Sequence, residues 1–518
     1  MSQTVIVTLS DPIIQVDGWN PGLDRIGEYT LKIRKTPEEM KKEREYARSI
    51  GDFGKKIDPV RRERRTVISK KPDDPSVAYF LPGLWPRVEK HLKSKGIQYT
   101  IVDKRNPDIR PALDMTAFEG IEFRKTQDVA VALISQLDCG IIETVTGWGK
   151  SALISWMCKA YPTLNIVVTT GSAQVVGTLY QYLCQVLPGE VGVIGGGKNI
   201  VAGKRVIVST FKSLPNINPE NVHLVFVDEC HGAADNDAGR EIMKFCWARR
   251  FGFSASPIRN AGDGIVMESL FGPTILKMEY DEAVDAGIVT PMKYLMLPCN
   301  SAPSVCNSPN LPDVMQKRWS YWCNRSRNEA IRKFVYDIKK VYDGQLLIMC
   351  NSLEHCIHIQ RLLPWFKIAY GGGDFSELKK KFPKERFPDV DLDSYKLTAK
   401  QLEIMRKAFE KGTMRYIVCT KTWRAGVNFK HLRVLVRADG DVSAVEGIQI
   451  PGRLSRLDEG KDWAYLVDVM DNFSQWARQR SFARQALYEK QSWKQASYEE
   501  VLDDLSRVPK ENDDESAG

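Results

Sequence analysis

The chain has 518 residues, 43% hydrophobic and 27% charged, with a formal net charge of +9. One hydrophobic core rarely organises more than about 250–300 residues, so several domains are expected. No apolar run approaches the ~20 residues that span a bilayer, and the opening MSQTVIVTLSDP lacks the basic-then-apolar pattern of a secretory leader. Eleven cysteines without CxxC pairing read as reduced thiols in a cytoplasmic protein. The positive charge leans toward a polyanionic partner.

Residues 1–112 read as a separate α+β unit. Lys32–Lys71 is dense in Lys and Arg and peaks at Arg61-Arg62-Glu63-Arg64-Arg65, either a solvated face or a grip on a polyanion. Tyr79–Leu84 is an apolar run, Val88–Lys95 has helical spacing, Gly96 stops it, and Ile97–Val102 alternates as a strand. From 113 the texture changes. Short apolar strands at Gly140–Thr144, Asn165–Thr169, Val191–Ile194, Arg205–Ser209, His223–Val227 and Arg250–Ser254 alternate with helical stretches. That rhythm predicts a parallel sheet with helices on both faces. It recurs at Gln345–Cys350, Lys367–Tyr370, Tyr416–Thr420, Arg433–Val436 and Trp463–Asp468. The expected layout is an α/β chain: a small N-terminal domain at 1–112, one lobe at 113–295, a linker at 296–324, a second lobe at 325–480, and a C-terminal helix with an acidic disordered tail at 481–518. Gly371–Ala399, polar and basic without a clear period, reads as an insertion or long loop.

Between the first strand of lobe one and the following helix lies Thr146-Gly147-Trp148-Gly149-Lys150-Ser151. Glycines there let backbone N–H groups turn toward phosphate oxygens, and the helix N-terminus adds its positive dipole end. Lys150 would reach the β- and γ-phosphates and Ser151 would ligate Mg²⁺. The strict pattern wants Gly at position 144, where this chain has Thr144. Asp228-Glu229 follows a buried strand about 80 residues later, where α/β sheets bind ligands. Asp228 would hold Mg²⁺ and Glu229 would orient the attacking water; the bland alternative is a surface acid pair. On the other lobe, Arg453 and Arg456 lie three apart, as on one face of a helical turn. Arginine suits charge developing on a γ-phosphoryl group because its fork donates bidentately.

With these motifs assembled, the chain resembles superfamily 2 helicases of the DEAD/DEAH-like group, through most of residues 120–470. Phe123-Arg124-Lys125-Thr126-Gln127 resembles the adenine-reading segment, so Arg124 and Gln127 join Thr146, Gly147, Gly149, Lys150 and Ser151 as expected ATP contacts. Val167–Gly171, Val208–Leu214, Asp228–His231 (DECH) and Phe251–Pro257 resemble motifs Ia through III; Leu346–Ser352, Cys419–Asn428 and Gln449–Arg456 resemble motifs IV, V and VI. The resemblance adds Gly426 to the nucleotide site and Gln449 to the catalytic set with Glu229, Asp228, Lys150, Arg453 and Arg456. It implies two tandem RecA-like lobes, use of ATP and Mg²⁺, and backbone contacts to nucleic acid from Thr169, Thr170, Thr210, Asn351, Ser352 and Thr420. Asn428 stands where many relatives have Asp, which leaves coupling through that position open. Pro82–Arg87, the helix after it and Gly96–Asp103 resemble the N-terminal module of phage and bacterial repair and recombination helicases. That branch acts on branched DNA. RNA unwinding, and an ATP-switched binding or annealing factor that hydrolyses little, stay open.

Three other clusters allow two readings each. Cys230-His231 and the His355, Cys356, His358 group could hold metal, but too few ligands are in view. Trp319, Tyr321 and Trp322 could stack on bases or pack in a core.

Overall fold

A computed structural model describes residues 5–49, 58, 60–234, 237–255, 264–307, 311–371, 375–385, 387–420, 423, 429–442 and 451–509. The chain divides into two compact units. The first is Met1–Thr144 with Gly149–Met278; the second is Glu279–Gly518 with Val145–Trp148.

The first unit opens with a five-stranded sheet, built from β1 (Val5–Leu9), β2 (Ile14–Asp17), β5 (Ser69–Lys71), β6 (Asp74–Phe80) and β7 (Tyr99–Asp103) in the order β5-β6-β2-β1-β7. In β1, Val5, Val7 and Leu9 alternate inward, and they meet Ile14 and Val16 of β2 and Val88 and Leu92 of helix α2 (Trp85–Ser94). Period two in the strands and an i, i+4 pair in the helix are what make this core. Two further strands, β3 (Glu28–Arg34) and β4 (Val60–Thr66), pair among the described residues only with each other, antiparallel, and helix α1 (Pro37–Ser49) follows β3.

This small domain is fastened to the sheet that follows. Arg110 Nε and Arg105 Nη1 donate to Asp138 at 2.7 and 2.6 Å, and Arg110 Nη2 reaches Asp11 at 2.6 Å. Arg87 grips Glu268, and a Cβ on Gly83 would collide with the backbone of Glu268, Ser269 and Gly272. Burial pushes the Asp138 pKa up, but the hydrogen bonds from Arg110 and Arg105 outweigh it and hold the carboxyl below its usual range. The expected boundary at residue 112 therefore separates two sheets but not two compact units.

The following sheet contains β8 (Cys139–Glu143), β9 (Ile166–Thr170), β10 (Val191–Gly195), β11 (Lys198–Ile200), β12 (Val206–Thr210), β13 (Leu224–Asp228), β14 (Arg249–Ser254) and β15 (Thr274–Lys277), ordered β11-β10-β12-β9-β13-β14-β8-β15. All pairings are parallel except β10 with β11. Strands β9 and β13 are buried along their whole length, as expected where helices cover both faces.

Among the described residues the second unit holds seven parallel strands: β16 (Met292–Cys299), β17 (Leu346–Met349), β18 (Lys367–Ala369), β19 (Tyr416–Cys419), β20 (Val434–Arg437), β21 (Ala464–Asp471) and β22 (Lys494–Gln495), in the order β18-β19-β17-β20-β21-β16-β22. Several expected boundaries are corrected here. β16 pairs with β21 over eight residues, so Met292–Leu295 belongs to the second sheet and not to lobe one. The supposed linker also contains helix Asp313–Lys317 and one π-helical turn, Arg318–Trp322. The helix Gln475–Lys490 crosses the expected 480/481 boundary and buries Ser481, Arg484 and Tyr488, after which a further helix, Tyr498–Ser506, joins the core through Val501 and Leu505. The 371–399 segment is not a bare loop: helix Phe375–Lys381 and a turn at Leu392–Tyr395 bury Leu378, Phe382, Val390 and Leu392. The acidic tail after residue 509 lies outside the described residues.

Candidate nucleotide site and arginine segment

β8 runs into the loop 144–149, and helix α4 (Lys150–Ala160) leaves it. Gly147 and Gly149 have φ of +99° and +105°, a region closed to most L side chains, so the two glycines of the motif occupy the two positions that need them. Thr144 has no such requirement. Its N–H donates to Ser254 O at 3.1 Å and extends the sheet by one residue, which is why a side chain is tolerated where the strict pattern has Gly. Lys150 Nζ donates to Thr144 O at 3.0 Å across the loop, and Ser151 is exposed at the helix start. Trp148 is fully buried, in keeping with packing.

Gln127 begins helix α3 (Gln127–Gln136) and is 1% exposed. Its Oε1 accepts from Arg124 N at 2.9 Å, and a Cβ on Gly149 would lie 2.6 Å from its Nε2. The segment Arg124–Gln127 and Gly149 thus share one small volume. Arg124 itself is exposed.

Asp228 ends β13 and is 7% exposed. It pairs with Phe253, which pairs with Ile142, so the carboxylate strand and the loop strand end level, two strand spacings or roughly 10 Å apart. Glu229 adopts φ +53°, ψ +48°. A non-glycine residue there costs on the order of 1–3 kcal/mol and points to a functional constraint. Among the described residues only Thr126, Glu229 and Ser492 are non-glycine residues with positive φ, and the first two flank this site. His231 Nδ1 lies 3.0 Å from Ser254 Oγ and 3.4 Å from Glu229 Oε2, tying the acid pair to the end of β14.

In the second unit, Pro451–Arg453 is a 3-10 turn that gives way to an irregular stretch before Arg456. The two arginines are therefore not on one face of a regular helix. Leu454 anchors the segment in the core, and Ser455 Oγ donates to Gly452 O at 2.8 Å. Burial pushes the Arg456 pKa down, against an opposing pull from Glu410. Its Nε is buried without a hydrogen-bond partner among the described residues, a condition an incoming anion would relieve. Gln449 and Gly426 lie outside the described residues, as does Asn428.

The expected nucleic-acid contacts divide. Thr169 and Thr170 are buried, and the Thr169 hydroxyl donates to Ser209 O at 3.2 Å inside the sheet, so neither side chain is open to a strand. Thr210 is half-buried, with its hydroxyl 2.8 Å from Ser213 Oγ. Asn351 Nδ2 donates to Asp439 O at 2.7 Å, and Ser352 Oγ caps the helix Leu353–Leu362. Thr420 is half-buried and its N–H donates to Ala369 O at 3.0 Å.

The metal readings do not survive. His355 is buried, 3.3 Å from Asn328 Oδ1, and Cys356 is a core residue. His358 instead groups with Cys323 and Glu354, their ligand atoms all within 4.8 Å. Glu354 is already held by Arg318 at 2.7 Å and Lys381 at 3.3 Å, so two cations occupy the ground a metal would need. Tyr321 is buried and stacks on Trp476 at 5.7 Å, which favours core packing over base stacking.

Residues 120–259, which span the loop, the acid pair and the end of β14, match the family described as Type III restriction enzyme, res subunit. A protein of Sulfolobus islandicus filamentous virus (isolate Iceland/Hveragerdi), provisionally named helicase 22, is 21% identical over 430 residues, covering 76% of this chain and 73% of its own. The crystal structure of T4 UvsW covers 95% of this chain and 99% of its own, at 15% identity and a TM-score of 0.40. Saccharomyces cerevisiae Dbp5 bound to RNA and ADP BeF3 covers 76% of this chain and 96% of its own, at 13% identity and a TM-score of 0.52. The fold is that of tandem RecA-like lobes, as in that structure. No helix among the described residues is long and apolar enough to cross a membrane.

Sequence reasoning missed Thr290, which braces the arginine segment. Ser254 is reached by His231, while Thr290 N and Oγ1 donate to Ser455 O at 2.7 Å and Arg456 O at 3.2 Å. Ser254 ends a strand and a motif segment already legible in the sequence; nothing there marks Thr290.

Proposed function

We propose that the chain is a Mg²⁺-dependent, nucleic-acid-stimulated ATPase that translocates on DNA and remodels duplex or branched arms. The observation that carries this reading is that the loop 144–149 and the pair Asp228–Glu229 leave the same edge of one parallel sheet in level register. Backbone N–H groups of the loop and Lys150 hold the phosphates, and Gln127 with Arg124 reads the base. Ser151 and Asp228 would hold Mg²⁺, which screens phosphate charge when bound. Glu229 accepts a proton from the attacking water, and Arg453 and Arg456 stabilise charge on the γ-phosphoryl group. Gln449 and Gly426 complete the set by resemblance.

For a grip on a duplex arm the support is the pair β3–β4 with α1. Residues 32–71 hold 15 lysines and arginines against 7 acids, almost the whole excess of the chain. Arg61, Arg62 and Arg64 are exposed or half-exposed on β4 or at its edge. Such a patch suits phosphates of a duplex arm without reading sequence. The matched family is named for a restriction enzyme. RNA stays the second reading because Dbp5, of the same fold, was captured on RNA. ATPase assays with single-stranded DNA, forked DNA and RNA decide it. Stimulation by forked DNA is expected; stimulation by RNA alone overturns the DNA reading. Equal turnover by wild type and Glu229→Gln overturns the motor.

A further inference from the structure

We propose that Lys461 is the positioning residue of the arginine segment, its ammonium acting as an internal clamp on the main chain that carries Arg453 and Arg456. Lys461 is 5% exposed. Its Nζ donates to Leu454 O at 2.6 Å, Lys430 O at 3.1 Å and Arg456 O at 3.2 Å. Three acceptors match the three donors of an ammonium, and no side-chain carboxylate takes one of them. The nearby acid, Asp458, is held by His431 at 2.7 Å and Lys430 at 3.2 Å. The clamp therefore ties the carbonyls on both sides of Ser455 to the residue that follows Phe429, and Thr290 braces the same turn from the other side through Ser455 O and Arg456 O.

The arrangement makes sense only if the backbone at 454–456 must not move. An arginine that stabilises transferring phosphate loses about 10²-fold in rate for a displacement near 1 Å. The charged groups around Lys461 are Arg433, Asp458 and Arg456. Burial first, then Arg433, push its pKa down to about 7, with Asp458 opposing and Arg456 adding to the fall. The three-donor grip is thus complete below about 7 and weakens as the amine loses its proton.

This inference rests on the proposed role of Arg453 and Arg456, and the test separates the two. Lys461→Met keeps the volume and removes the donors; Lys461→Arg keeps a permanent charge. In the full chain with saturating ATP and forked DNA, Lys461→Met should lower kcat by about 10²-fold while the Kd for ATP stays within a factor of about two. Wild-type kcat should fall as pH rises above neutrality, and Lys461→Arg should retain activity and lack that alkaline limb. Hydrogen exchange at Leu454–Leu457 should speed up at least tenfold in Lys461→Met whether or not the chain hydrolyses ATP. Unchanged exchange together with unchanged kcat overturns the clamp. Faster exchange in Lys461→Met, with wild type and Arg453→Ala turning over equally, supports the clamp and overturns the trigger role instead.

Discussion

At the scale of single residues the candidate site rests on a few side chains whose removal has separable effects. Lys150→Ala deletes the charge that meets the phosphates and should abolish both ATP binding and turnover, measured by nucleotide fluorescence and phosphate release. Glu229→Gln keeps size and the left-handed backbone but cannot take a proton. It should lower kcat by about 10²–10⁴-fold with ATP binding retained. The places of the loop and the acid pair at the ends of their strands were legible in the sequence because each follows a short apolar run. Lys461 was not. It sits in Glu459-Gly460-Lys461-Asp462, which reads as a solvated turn, and its burial depends on carbonyls that no side-chain pattern reveals. The state of the Thr169 hydroxyl was equally hidden: it donates to Ser209 O inside the sheet.

At the scale of elements, strands were the most legible part because each is a short apolar run with a turn on both sides. β14 was read despite two arginines. Both are buried, Arg249 Nη2 donating to Leu137 O at 2.8 Å and Arg250 Nε to Leu270 O at 2.9 Å. β16 and the helix Tyr498–Ser506 escaped, because pairing between strands some 170 residues apart leaves no local trace. The end of β21 and the helix Gln475–Lys490 share a buried charge network. Arg484 Nε meets Asp468 at 2.8 Å, Arg327 Nε meets Asp471 at 2.9 Å, and all four side chains are fully buried. Removing one partner strands a buried charge, so Arg484→Met should destabilise the second unit by about 3–5 kcal/mol in denaturant unfolding. Replacing Gly83 by alanine forces a methyl into the backbone of 268–272. It should cost about 1–3 kcal/mol and raise protease sensitivity between residues 104 and 114, without touching the loop at 144–149.

At the scale of the molecule, the prediction concerns nucleic acid. Charge reversal of Arg61, Arg62 and Arg64 should weaken binding to duplex arms uniformly across sequences. If all three meet phosphates, the slope of log K against log salt should fall by about 3. Unstimulated ATPase should stay unchanged. A preserved salt slope would rule out β3–β4 as the grip. The order of the second sheet has a consequence during synthesis. β16 leaves the ribosome about 165 residues before its partner β21 is made, on the order of 10–30 s at ordinary elongation rates. For that interval an eight-residue apolar strand has no native neighbour, while the first unit, whose strands are all upstream, can already fold. The half-made chain is then a finished head trailing a sticky thread, and holding that thread apart from others is a task for the cell's chaperones.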